Sequence, residues 1–258
     1  MRGRVKSTVA EERQASTRGR LARLCGIVVV LATLAALISL GTWQMQRLAW
    51  KEGLLTAIAE RRSKPPVDLA AIEALVAEGG DIEYRTVTVS GRYLNNRERH
   101  FFATHQGRTG YYIYTPLELS DGSFVFINRG FVPFDAKEPE TRKAGQLTGA
   151  QTVNGLARAR LAEKPSWVVP ENDLKKNIFY WKDLDVMAQT DGLPAGKVRP
   201  FFIDADATQI PGTLPVGGVT QFELPNNHLQ YAVTWYGLAG ALVVISGVFV
   251  FRRKTQGQ

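Results

Sequence analysis

His228, one of three histidines in the 258-residue chain, has the setting that most favours chemistry. It follows Pro225-Asn226-Asn227 and precedes an uncharged apolar stretch, so the sequence predicts that it opens a helix behind an asparagine N-cap. Tyr231 and Trp235 follow at i+3 and i+7, which predicts one stripe with His228. A helix N-terminus favours the neutral imidazole that a metal site requires.

Another apolar stretch lies nearer the N-terminus. Trp43, Gln44 and Trp50 are at its outer end, and a helical hairpin would bring these residues to the same boundary as His228. Two interpretations of this cluster stay open. The first is an aromatic belt at headgroup depth, with the histidine as a polar helix start. The second is a site for the edge of a haem, because imidazole ligates haem iron, aromatic rings pack on the macrocycle and arginine pairs with propionates.

Other chemistry is not indicated by the sequence. His100 and His105 differ by an odd number of positions, which predicts opposite faces of a strand and disfavours a shared metal. No nucleophile–base–acid set, phosphate-binding loop or H-E-x-x-H motif is present, so we do not expect an enzyme. Cys25, the only cysteine, excludes an internal disulfide and a C-x-x-C site.

Both apolar stretches have the composition of membrane-spanning helices. No charged residue occurs between Leu24 and Gln46 or between His228 and Phe251, and each run approaches the ~20 residues that a bilayer-crossing helix needs. We therefore predict transmembrane helices at 24–43 and 228–251. The first run is too long for a signal-peptide core. The spacing of Ala32 with Ala36 and of Gly237 with Ala241 predicts close helix packing through these small residues.

The flanking charges predict the orientation of this hairpin. Residues 1–23 carry a net charge of +5 and residues 252–258 carry +3, whereas the region between the two apolar runs has 22 basic and 22 acidic residues. Basic flanks favour the cytoplasmic side, so both tails are predicted there and residues 44–227 on the other side. The neutral central region disfavours a nucleic-acid partner, and the lipid bilayer is the expected neighbour of the tails.

Residues 44–227 are predicted to form an α+β domain on an antiparallel sheet, with a partial barrel as one form of closure. A helix is expected over Arg47–Arg62, stopped by Pro65-Pro66, and a second helix opens at Asp68 and ends at Gly79-Gly80. Alternating patterns and turn residues then predict strands at 84–93, 100–104, 110–119, 123–132, 151–160, 178–181 and 198–203, a short helix at 184–189 and a loop at 211–218.

Four blocks of the sequence, in order, resemble the surfeit locus protein 1 family, the cytochrome c oxidase assembly factors. The first runs from Leu40 to Lys51 (LGTWQMQRLAWK), and the second comprises Gly110-Tyr111-Tyr112 and Thr115-Pro116-Leu117. The third, 127–133 (INRGFVP), is similar to the family signature N-R-G-W-V-P, with Phe131 in place of Trp. The fourth, 225–235 (PNNHLQYAVTW), is similar to the closing block N-N-H-L-x-Y-A-x-T-W.

The resemblance implies a non-enzymatic chaperone that handles haem a for subunit I of the haem-copper oxidase, with haem-a synthesis or assembly proteins as further partners. It carries the haem-linked histidine over to His228 and places Trp43 beside it. The preferred hypothesis adds Tyr231 and Trp235 as the wall of the site, and Arg129 or Arg47 as partners of the propionates.

Two alternatives stay open. The first is a scaffold that stabilises assembly intermediates without touching haem. The Asn128-Arg129-Gly130 turn is then the surface that contacts the oxidase subunits, or Arg129 is a buried structural residue. The second alternative concerns location: Glu11 and Glu12 in the first tail favour a bacterial inner membrane with a periplasmic central domain over the mitochondrial inner membrane.

Overall fold

The computed structural model describes residues 2–207, 213–220 and 226–255, which divide into two compact units. The helix unit contains the described residues up to Leu55 together with 226–255. The barrel unit contains the described residues of Thr56–Phe222.

The helix unit is built from two helices that are long and apolar enough to cross a membrane. They are α1, Arg2–Ser63, in which the apolar segment starts at Leu24, and α4, His228–Thr255. The expected helix over 47–62 is confirmed as a continuation of α1. It ends before Pro65-Pro66, because proline disfavours the helical conformation of the residue before it and supplies no N–H.

The barrel unit opens with α2, Leu69–Ala77, whose start at Asp68 was expected. The Asp68 carboxylate accepts a hydrogen bond from the Ala71 N–H, which satisfies a donor left free at the helix start. Gly79 follows the helix with a φ of 71°, in the left-handed region that glycine adopts without steric cost.

The predicted alternating segments are confirmed as strands. Within the described residues the sheet has seven: β1 Thr86–Tyr93, β2 Arg99–His105, β3 Arg108–Glu118, β4 Phe124–Pro133, β5 Ala150–Ala159, β6 Ile178–Phe179 and β7 Val198–Ala205. The Asp121-Gly122 turn joins β3 to β4, with Gly122 at a φ of 72°. The short helix α3 spans Leu184–Thr190, close to its predicted bounds.

The strands close into a five-stranded barrel in the order β1–β5–β7–β4–β3, and β3 returns to β1. One edge of β3 serves two partners: its first half pairs with β2 and its end pairs with β1. Pro116 lies between these two pairings and has no backbone N–H to donate, which suits a strand that exchanges partners there. The barrel is therefore fully closed, whereas the sequence indicated a partial barrel.

The predicted α+β fold with a largely antiparallel sheet is confirmed, and two of the strand pairs are parallel. β4 and β7 pair in parallel, as do β2 and β6. A parallel pair needs a long connection, and the chain between β4 and β7 supplies it by adding β5, β6 and α3.

The barrel interior holds the main apolar core. Ile72 of α2 is fully buried against it, so this helix packs on the barrel. The other buried members share an inward direction on their strands, among them Val87, Val89, Leu117, Val125, Ile127, Val153, Phe201 and Ile203. α3 covers a second apolar cluster through Leu184 and Met187, which pack with Phe126, Phe179 and Phe202. Of the predicted loop over 211–218, residues 213–218 lack helix and strand apart from one bridge at Val216, and 211–212 lie outside the described residues.

Candidate functional site

The two helices of the helix unit meet along a seam of less exposed residues spaced alternately by three and four. The seam consists of Leu37, Gly41, Gln44 and Leu48 on α1 and of His228, Ala232, Trp235 and Ala239 on α4. This spacing keeps one side of each helix turned toward the other. The small residues expected to form the contact, Ala32, Ala36, Gly237 and Ala241, are exposed instead. That prediction is wrong, because the register places Gly41, Ala232 and Ala239 in the seam.

Gly41 lies where α4 approaches α1 closely. A Cβ atom at this position would lie 2.7 Å from a ring carbon of Tyr236, so the ring would have to shift. The hydroxyls of Thr42 and Tyr236 lie 3.1 Å apart and form a hydrogen bond beside this contact. Together they define one flank of the seam.

His228 lies in the seam at the start of α4, as the sequence predicted. The Tyr231 N–H donates to the Asn227 carbonyl oxygen at 3.1 Å, which is the first turn of the helix and puts Asn227 at the N-cap position. Pro225, which completes the predicted turn, lies outside the described residues. The imidazole is half-buried.

The imidazole of His228 has a partner that sequence reasoning did not identify. Its Nδ1 lies 2.7 Å from Oε1 of Gln44, whose residue is only 9% exposed. An amide oxygen accepts and never donates, so Nδ1 is the donor in this contact, and in the neutral imidazole the lone pair is then on Nε2. Nε2 can therefore bind a metal ion while Nδ1 is held by the protein.

The other aromatic residues of the predicted cluster divide by exposure. Trp43, Trp50 and Tyr231 are exposed, by 54%, 55% and 53% respectively, whereas Trp235 is half-buried in the seam. The predicted stripe of His228, Tyr231 and Trp235 therefore splits: Trp235 faces α1 with His228, and Tyr231 turns outward.

Helix geometry places Tyr231 and Arg47 on the same flank. Each is five residues from a residue of the Thr42–Tyr236 contact, a rotation of roughly 140° about its own helix, which carries it across the seam. Trp43 lies one turn before Arg47 on that side of α1. The Arg47 guanidinium stacks 4.0 Å from the ring centroid of Trp50. This flank thus combines exposed rings, the Arg47 cation and the start of α4.

Arg129, the other predicted cation, is buried inside the barrel unit. Its guanidinium donates to Glu98 Oε1 at 3.3 Å and to the Gly145 carbonyl oxygen, and it stacks 4.5 Å from the Tyr93 ring centroid. Burial lowers its pKa from the usual value, opposed by the charge of Glu98. Arg142 also donates to both oxygens of Glu98. The propionate role expected for Arg129 finds no support in this setting.

The neighbours of Arg129 in the N-R-G segment are structural as well. The Asn128 amide donates to Asp204 at 3.0 Å and so joins β4 to β7, while its oxygen accepts from the Gly130 N–H. Gly130 has a φ of 124°, and a Cβ there would lie 2.0 Å from the Val216 carbonyl oxygen. Of the two interpretations left open for this segment, the buried structural arginine agrees with the structure, in which all three residues lie inside strand β4.

The other two histidines behave as the sequence predicted. His100 packs against Tyr111 on one face of β2, whereas His105 packs against Tyr112 and Phe131 on the other. Burial, with Lys137 and Arg142 nearby, lowers the pKa of His100 to about 3, so this ring is neutral. Among the described residues no group of three or more His, Cys, Asp or Glu is arranged to hold a metal ion.

Fold and site define a class of protein: a closed β-barrel that lies in the sequence between two long apolar helices, with a half-buried imidazole where the second helix begins. The SURF1 family model matches residues 31–240. Surfeit locus protein 1 of Rattus norvegicus is 37% identical over 80% of this chain and 70% of its own length. The protein of the same name from Takifugu rubripes is 35% identical over 80% of this chain and 89% of its own length. That of Homo sapiens is 35% identical over 83% of this chain and 73% of its own length. The chain belongs to the SURF1 family.

Proposed function

We propose that this protein is a membrane-bound assembly factor for the haem-copper (cytochrome c) oxidase, and that it binds haem a at the start of α4 and assists its insertion into subunit I. The observation that carries the proposal is the His228–Gln44 pair, because a histidine held through Nδ1 would offer Nε2 as a ligand for haem iron. Membership of the family and the closing sequence block support the oxidase as the destination.

The described residues around His228 fit such a cofactor. Trp43 and Tyr231 offer exposed flat rings to a macrocycle, and Arg47 lies on the same flank as a cation for a propionate. Trp235 lies in the seam about two turns after His228. Haem would supply an iron whose coordination position His228 fills, and the protein's own part is to bind, orient and shield the cofactor without catalysing a reaction.

Both long helices support a bilayer location. We place the protein in a bacterial inner membrane, with the barrel unit in the periplasm, because basic residues flank the apolar segments toward both termini. The mitochondrial inner membrane is the alternative.

Absorption spectroscopy of the full chain in lipid nanodiscs tests haem binding. Titration with haem a is expected to give a shifted Soret band, and His228→Ala should weaken binding and change the band. His105→Ala removes another half-buried histidine, from the barrel unit, and serves as the matched control that should bind normally. An unchanged spectrum for His228→Ala would exclude ligation by this residue.

A second candidate function, a scaffold that holds oxidase subunits together, is favoured by one surface of the barrel unit. Phe134 and Phe102, which are 64% and 39% exposed, lie on either side of the buried Tyr111 ring, and Tyr180 continues the row, with neighbouring ring centroids 5.7–6.2 Å apart. Exposed aromatic rings commonly anchor protein contacts. A scaffold would co-purify with subunit I after His228→Ala and after haem depletion, but lose it after Phe134→Ser.

A further inference from the structure

Gln44 stands in a position to control which nitrogen of His228 is available. It faces α4 from the seam, is almost fully buried, and its Oε1 lies 2.7 Å from Nδ1 of His228. Gly41 and Leu48, one turn before and one turn after it, also lie in the seam, so the backbone around Gln44 is fixed by packing.

We infer that Gln44 is a positioning residue that holds His228 in the tautomer with a bare Nε2, ready to ligate iron. The inference rests on the proposed function for the meaning of ligation, but the tautomer itself is a property of the protein without haem.

The hydrogen bond is needed because the opposite tautomer is the intrinsic preference. A neutral imidazole in water favours the proton on Nε2, which would block the nitrogen that faces away from Gln44. The amide oxygen reverses this preference, since it accepts a hydrogen bond and Nδ1 is the ring nitrogen within its reach. The same contact limits rotation of the ring and so orients its free lone pair.

The choice of an amide, in place of a carboxylate, sets the strength of the ligand. A carboxylate partner pulls the Nδ1 proton and makes Nε2 more basic, whereas an amide does so weakly. A neutral partner therefore orients the ring but leaves the bond between Nε2 and iron of moderate strength. This suits a protein that must release its cofactor to another protein.

Nuclear magnetic resonance of the haem-free chain tests the tautomer directly. With ¹⁵N-labelled histidine in nanodiscs, the wild type should show His228 with a protonated Nδ1 and an unprotonated Nε2. Gln44→Met, similar in size but without the acceptor, should move the proton toward Nε2. A protonated Nε2 in the wild type, or an unchanged tautomer in Gln44→Met, would overturn the inference whether or not haem binds.

Haem titration then tests the consequence for ligation. Gln44→Met should weaken haem affinity about 10- to 100-fold, as expected for loss of an outer partner of a ligand. Gln46→Met, two residues further along α1 and exposed, is the matched control and should leave affinity unchanged. Helix content measured by circular dichroism must be equal among the variants.

The transfer of haem to apomyoglobin separates hydrogen bonding from packing. Gln44→Glu keeps an acceptor and should release haem more slowly than the wild type, whereas Gln44→Met should release it faster. Equal acceleration in both variants would show that Gln44 acts by packing and would overturn the inference. If the wild type bound no haem, the proposed function would fail while the tautomer measurement would still decide the role of Gln44.

Discussion

At the scale of single residues, Glu98 balances two buried cations in the barrel unit. Its side chain and those of Arg129 and Arg142 are all nearly inaccessible to solvent, and one carboxylate serves both guanidinium groups. The Asn95 amide oxygen and backbone carbonyl oxygens accept from further donors of the two arginines, and the Arg129 guanidinium stacks on the Tyr93 ring. A buried charge whose partner is removed costs far more than an exposed one, which makes Glu98 a sensitive position.

Replacement of Glu98 by Gln tests this balance. The substitution keeps the shape but leaves two buried guanidinium groups without a counter-charge, so we expect the free energy of unfolding to fall by about 3–5 kcal/mol. Denaturant titration of the full chain measures it. Glu118→Gln breaks the largely exposed pair with Arg92 and should change stability by less than about 1 kcal/mol. Equal effects of the two substitutions would contradict the assigned role of Glu98.

His100 predicts a pH dependence of stability. Its pKa is about 3 in the folded chain against an ordinary value of 6.5, so between these values the unfolded chain binds a proton that the folded chain does not. The stabilisation is therefore complete above pH 6.5 and is lost as the pH falls, at about 1.4 kcal/mol per pH unit.

The comparison of wild type with His100→Gln isolates this contribution from that of the carboxylates. The difference between their free energies of unfolding should shrink by about 1.4 kcal/mol for each unit between pH 6.5 and pH 4. Denaturant titrations at several pH values measure the difference. A difference independent of pH would show that His100 is already charged in the folded protein.

At the scale of elements, the contact between α1 and α4 depends on the missing side chain of Gly41. Gly41→Ala places a methyl group against the Tyr236 ring, and we expect a loss of about 1–3 kcal/mol from the overpacked seam. Thermal unfolding in nanodiscs, followed by circular dichroism, measures the loss.

Gly240→Ala on α4 is the matched control for this prediction. A Cβ at Gly240 meets nothing within 4 Å, so the substitution should be neutral or stabilise the helix by up to about 1 kcal/mol. Two variants of equal stability would mean that the helices do not approach each other at Gly41.

Helices and strands could be predicted from the sequence where the signal lies in neighbouring residues. Alternation of Val87 and Val89 with polar neighbours marks β1, and Asp68 marks the start of α2. The pairing of β1 with β3 and the parallel pairing of β4 with β7 are not local, since nothing in either strand alone specifies its distant partner. The barrel could therefore be suggested from the sequence, but its closure and strand directions could not be derived.

The same distinction explains what was predictable at the candidate site. His228 is marked by the asparagines before it and the apolar run after it, both of which are adjacent in sequence. Its bond to Gln44 joins residues 184 positions apart, and the burial of Arg129 depends on Glu98 and Arg142 from separate parts of the chain. The sequence shows that residue 129 is an arginine, which could pair with an anionic ligand. Only the folded structure shows that its charge is already paired with Glu98.

At the scale of the whole molecule, the charge distribution predicts the sidedness of the chain in the membrane. Green fluorescent protein fused to either terminus should fluoresce, because both basic tails are expected in the cytoplasm. Alkaline phosphatase inserted after Trp167, an almost fully exposed residue of a barrel-unit loop, should be active because the enzyme requires the periplasm. Opposite signals from the two termini would exclude the hairpin.

The outer surface of the barrel has two unlike sides. Where β1 and β5 pair, Thr88 donates to Asn154 and Ser90 bonds to Thr152, so this wall presents hydroxyl and amide groups. The side built on β2 and β3 carries the aromatic row that ends at Phe134. Stripping water from the first wall would forfeit hydration of these polar groups, while the second wall gives up its hydration readily. The two walls therefore give the barrel a preferred orientation: one is suited to contact water, and the other is suited to contact a neighbouring protein.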